Sequence, residues 1–147
     1  MALLRKTRSA QYLMSADFTA NFNDTMVDVN GVTKTFGSVF GDAGTFEVIN
    51  LPDGAVVTGG ELIVETAGAG PTAYTMSVGT TSGGATLLAA TSLLATGRTA
   101  LTGLGLTAQD KNVRVTIAST VANATAGKFR VRVEYTIDGR ANEVNPN

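Results

Sequence analysis

Residues 128–138, KFRVRVEYTID, alternate strictly: Phe129, Val131, Val133, Tyr135 and Ile137 stand between Lys128, Arg130, Arg132, Glu134, Thr136 and Asp138. A period of two marks a strand with one face in a core and one in water. Residues 112–118 repeat it, with Val113, Val115 and Ile117 inward and Arg114 and Thr116 outward. A small polar connection over residues 119–127, ending in Gly127, joins the two. Residues 72–79 put Tyr74, Met76 and Val78 on one face, and residues 61–66 set Leu62 and Val64 against Glu61 and Glu65. Residues 45–51 predict a further strand, closed by the turn Pro52-Asp53-Gly54. Between residues 26 and 36, Asn30-Gly31 lies among valines, a strong short-range hairpin signal.

Residues 86–95 are harder to place, because their Ala and Leu content suits a helix that Gly97 could cap. Their neighbours all read as strands, so a strand or irregular edge is expected. Residues 99–106 predict a strand broken by Gly103 and Gly105. The sum is roughly eight strands joined by turns, with no helix longer than two turns. That pattern predicts an all-β chain: a single antiparallel β-sandwich, jelly-roll-like, over residues 25–143. A non-periodic, extended N-terminal arm (residues 1–24) precedes it, and a C-terminal tail (residues 144–147) follows.

A length of 147 residues suits one domain with a sizeable core. The chain has no Cys, His or Trp, which removes disulfides, thiolate ligands and the commonest nucleophile and general base. Glu61 and Glu65 share a strand face, yet strand rise sets them about 13 Å apart, beyond the roughly 5–9.5 Å of glycosidase pairs. Their expected role is an outward polar face opposite Arg or Lys. The glycine-rich GTTSGGAT of residues 79–86 resembles a phosphate loop, but Ala85 stands where its lysine belongs. Asp24, Asp28 and Asn30 hint at calcium, yet Met26 occupies a ligand position and no bidentate Glu follows. Both segments are expected to be turns. No enzyme activity, cofactor or metal is therefore expected. The sequons at Asn23 and Asn123 carry little weight without a leader peptide.

No apolar run approaches the roughly 20 residues of a membrane span, so no membrane partner is expected. The start, MALLRKTRSAQYLM, lacks the continuous apolar segment of a signal peptide, which points to synthesis in the cytoplasm. Charge is segregated along the chain. Residues 1–12 hold Arg5, Lys6 and Arg8 and no acid, whereas residues 17–65 hold eight acids against Lys34 alone. Residues 98–140 are basic again, with seven bases against Asp110, Glu134 and Asp138. These blocks are expected to face one another across strands of one sheet, or between subunits.

Two stretches point to assembly rather than catalysis. Residues 67–97 contain no charge, and the segment 66–109 adds only Arg98. Part of it is expected in the core, the rest against copies of the chain, another protein or solvent. The arm combines Arg5, Lys6 and Arg8 with Leu3, Leu4 and Tyr12, a mixture suited to docking on a partner. Three cations without a wider basic domain do not predict nucleic acid as that partner.

Several runs together carry a family resemblance: LPDGAVVTGGELIVETA at 51–67, YTMSVGTTSGG, GRTALTG, VRVTIAS and AGKFRVRVEYTIDGRANE. They resemble the small decoration (cement) proteins of tailed bacteriophage capsids, over about Phe46–Glu143. The resemblance implies a jelly-roll-like domain on the outside of the virion head, often a homo-oligomer (dimer or trimer). It implies contacts that staple neighbouring copies of the major capsid protein, many weak contacts adding through avidity. Leu3, Leu4, Arg5, Lys6, Arg8 and Tyr12 are then the expected partner-binding residues. The alternatives are a receptor- or glycan-binding β-sandwich of a phage fibre, and a tail or neck structural module.

Overall fold

A computed structural model describes residues 13–81, 84–104 and 112–137. Its strands are β1 (Met14–Asn21), β2 (Thr25–Val27), β3 (Thr33–Thr35), β4 (Gly44–Ile49), β5 (Ala55–Ala69), β6 (Ala73–Gly79), β7 (Leu88–Ser92), β8 (Gly97–Ala100), β9 (Val113–Thr120) and β10 (Ala126–Ile137). No helix occurs among the described residues. Two four-stranded antiparallel sheets form, ordered β1-β10-β5-β8 and β4-β9-β6-β7, and β2 and β3 make a separate hairpin. The step from β6 to β7 stays within one sheet, while every other step between sheet strands crosses to the other. This is the expected antiparallel sandwich, wound in the jelly-roll manner.

The period-two faces meet between the sheets. Val131 and Val133 of β10, Leu62 of β5, Met76 of β6 and Ile117 of β9 are all buried there. Phe36, just after β3, joins the layers: its ring lies 4.5 Å from Phe46 of β4 and 5.8 Å from both Phe18 of β1 and Phe129 of β10. Tyr74 donates its buried hydroxyl to the Phe36 carbonyl at 3.0 Å. Burial pushes the Tyr74 phenol up to about 12, so it stays neutral and a donor.

The two open sides of the sandwich are covered. On one, the tip of the β2–β3 hairpin lies on β4, with the Val29 N–H donating to the Thr45 carbonyl at 2.9 Å. On the other, Leu101 N–H donates to Gly60 and Thr102 N–H to Leu87, tying the sheets together. Such covering removes free edge groups that would otherwise recruit other strands. The predicted Asn30-Gly31 hairpin is present, with Gly31 at φ +81°. Asp28, read in sequence as a turn residue rather than a calcium ligand, accepts N–H bonds from Asn30 and Val32, each at 2.9 Å, and pairs with Lys34 at 3.3 Å.

Two expectations change. Residues 14–21, expected within the arm, form β1 in register with β10, from Met14 opposite Tyr135 to Asn21 opposite Lys128. Their alternation is real, but two of the four inward positions are alanines, Ala16 and Ala20, which weaken the apolar signal. The strand expected over residues 99–106 instead spans Gly97–Ala100; Gly103 lies against the Thr86 carbonyl, so closely that no Cβ would fit. The core share of the uncharged segment is as expected: Tyr74, Met76, Val78, Leu87, Leu88, Leu93 and Leu101 are all buried within this one chain. The ambiguous residues 86–95 contain the edge strand β7, as expected.

Candidate functional site

The two outer sheet faces differ in chemistry. On the sheet containing β4, β9, β6 and β7, Thr45, Thr116 and Ser77 stand in one row, and the Thr45 and Thr116 hydroxyls are 3.0 Å apart. Its charge sits at one end, where Arg114 bonds Glu47 at 3.0 Å and Asn112 donates to the same carboxylate. The face of the sheet containing β1, β10, β5 and β8 is heavily charged. Period two projects Lys128, Arg130, Arg132 and Glu134 outward from the central strand β10.

Register places acids beside this row. Asp17 of β1 and Glu61 of β5 flank Arg132 on opposite sides. Glu65 receives both Lys128, at 2.8 Å, and Arg130. Arg98 of β8 clasps Glu61 through two nitrogens, its Nε donating to Oε2 at 2.9 Å. The acidic and basic blocks of the sequence thus meet across strands within each sheet, through Glu61 and Glu65 in one and Glu47 in the other. Glu61 and Glu65 serve as ion-pair partners, as their outward positions imply.

A depression of about 320 Å³ opens on this face, lined by Gly60, Glu61, Arg98, Arg132 and Glu134. Beside it the β5–β10 register is irregular: Glu134 faces Gly59 but Tyr135 faces Val57, so Thr58 is the extra residue. Gly60 has φ +139°, and a Cβ there would strike the Arg132 carbonyl and lie 2.8 Å from Leu101 Cδ1. Gly60 borders the depression with backbone alone, among the surrounding charges. Sequence reasoning identified Glu61 but missed the depression. The GG pair within an alternating strand was its signal.

The carboxylates titrate in the direction that these contacts dictate. The Val32 N–H foremost holds Asp28 below its usual 3.8. Asn112 and Arg114 hold Glu47, Arg98 holds Glu61, and Lys128 with Arg130 holds Glu65, all below 4.5. A depressed folded-state value means that the unfolded chain binds more protons in acid, so the stabilisation is present above the ordinary values and lost below them. With no histidine, the melting midpoint is expected to be flat from about pH 8 to 6 and to fall below about pH 5. A thermal melting series across pH checks this, and a midpoint unchanged down to about pH 3 would contradict it.

Leu3, Leu4, Arg5, Lys6, Arg8 and Tyr12, the residues expected to bind a partner, lie outside the described residues. No protein-family model matches the sequence, and no curated protein matches it. Solved structures do. A chain of the cyanophage Pam1 capsid asymmetric unit superposes with a TM-score of 0.61 at 24% identity, covering 91% of this chain and 94% of that one. A chain of the capsid of Ralstonia phage GP4 superposes with a TM-score of 0.56 at 16% identity, covering 90% and 91%. At these identities the likeness establishes the shared fold.

Proposed function

We propose that this chain is a non-enzymatic structural protein of a phage virion that binds the outside of the head and staples neighbouring major capsid subunits. The supporting observation is the likeness, over nine-tenths of the chain, to folds found in two phage capsids. The sequence resemblance to decoration proteins points the same way. The inventory of reactive groups agrees, since the chain has neither histidine nor cysteine to run acid–base or nucleophilic chemistry. In this reading the arm, with Leu3, Leu4, Arg5, Lys6, Arg8 and Tyr12, reaches the neighbouring subunits. The folded domain presents its charged face as a second contact.

The test is binding to purified phage heads that lack the protein. The full chain is expected to saturate them, and a chain lacking residues 1–12 to lose binding at the same concentration. The deletion stops at residue 12 because Met14 begins β1 and pairs with Tyr135. Unchanged far-ultraviolet circular dichroism would show that the domain still folds. Equal occupancy by both chains would remove the arm from the mechanism. Failure of the full chain to bind heads, together with binding to host cells or glycans, would replace the stapling role with receptor recognition.

A further inference from the structure

Arg132 is the one arginine of the charged face without a close acceptor among the described residues. Arg98 clasps Glu61, and Arg130 bonds Glu65. Arg132 pairs with Glu134 at 3.6 Å, too long for a hydrogen bond, and hydrogen-bonds neither Asp17 nor Glu61, which flank it in register. Its Nε is enclosed and lacks an acceptor. A guanidinium carries five donors in a rigid fork, so this half-exposed one keeps donors for an incoming acceptor at the edge of the depression.

The geometry points to a carboxylate-binding site: we propose that the depression over Gly60 receives an acidic side chain of another virion subunit, gripped by Arg132. A carboxylate is planar and singly charged, and matches the guanidinium fork through two parallel bonds. A phosphate group would bring a second negative charge beside Glu61 and Glu134, which also line the space. Arg98 already neutralises Glu61 through both of its oxygens, so Arg132 is left to meet the incoming group. Gly60 lines the space with backbone alone. The identity of the donor as a virion subunit rests on the proposed function; the chemistry of the site does not.

Two measurements on the full chain separate these parts. In the first, the Gly60 amide resonance is followed by NMR during titration with acetate, and with chloride at matched ionic strength. Acetate is expected to give a saturable shift that chloride does not. Arg132→Gln should abolish it, Arg132→Lys should weaken it, and Lys128→Gln, which removes a neighbouring charge outside the depression, should preserve it. Identical responses to both salts, or a saturable shift surviving in Arg132→Gln, would overturn the site. In the second, Arg132→Gln is expected to weaken binding to heads about tenfold or more, as loss of one partner of an interfacial charge pair does. Unchanged head affinity beside a positive acetate result would overturn the subunit side chain as its ligand. If the full chain does not bind heads at all, the structural role falls, and the acetate titration still decides the site.

Discussion

Replacing Phe36 by alanine is expected to cost about 3–5 kcal/mol, the range for emptying a large aromatic position in a packed core. That is a large share of the roughly 5–15 kcal/mol that holds a domain together. Phe36 belongs to neither sheet, yet its ring touches Phe18 and Phe129 in one and Phe46 in the other. Its backbone adds two ties, donating to the Asp24 carbonyl and accepting from the Tyr74 hydroxyl, both at 3.0 Å. Truncation leaves a cavity where the hairpin joins the sandwich, lined by rings too rigid to close over it. Urea denaturation should show a lower midpoint with an unchanged slope. A loss below about 1 kcal/mol would mean that the site collapses, and that the ring is not the link between layers.

Gly60→Ala is expected to be comparably damaging, although it adds a single methyl group. The residue sits at φ +139°, where a side chain brings strain of about 1–3 kcal/mol. The new Cβ would also meet the Arg132 carbonyl and lie 3.1 Å from Val133 Cα, both on the backbone of the central strand. Backbone in the middle of a sheet cannot step aside, so overpacking adds about 1–3 kcal/mol more. Gly31→Ala is a useful comparison: Gly31 also has positive φ, at +81°, but a Cβ there meets nothing within 4 Å. The expected order is therefore a small loss at Gly31 and a large one at Gly60. Equal losses would assign the whole effect to backbone conformation and none to the close approach of β5 and β10.

The chemistry of the candidate site was half legible in the sequence. Glu61, Glu65, Arg130 and Arg132 fall on outward positions by alternation alone, and their opposite charges predict cross-strand pairing. Which cation meets which acid was not legible, because the partners are far apart along the chain. Arg98 and Glu61 are separated by 37 residues, and Arg130 and Glu65 by 65. A one-residue shift in register would have turned every outward charge into the core. The hydrophobic pattern forbids that slip but leaves open which strand lies beside which. The bulge at Thr58 then shifts the register, so a count from the start of β5 does not place Glu61 beside Arg132.

The sequence by itself determined the faces. Side-chain direction in a strand reverses at every residue, so the alternation of Phe129, Val131 and Val133 with Lys128, Arg130 and Arg132 settles inside and outside without reference to any other segment. It also settled the hairpin at Asn30-Gly31, a matter of local backbone preference. The tertiary structure decided what depends on distant neighbours. It placed β1 beside β10, where main-chain bonds and register add to the weak signal of Ala16 and Ala20. It turned Leu87, Leu88, Leu93 and Leu101 of the uncharged segment inward, into the core between the two sheets. It also left Arg132 without a hydrogen-bonded acceptor although Asp17 and Glu61 flank it in register, Glu61 being clasped by an arginine from β8. Local periodicity fixes orientation, but pairing is a competition among edges, and only the completed wrap of the chain resolves it.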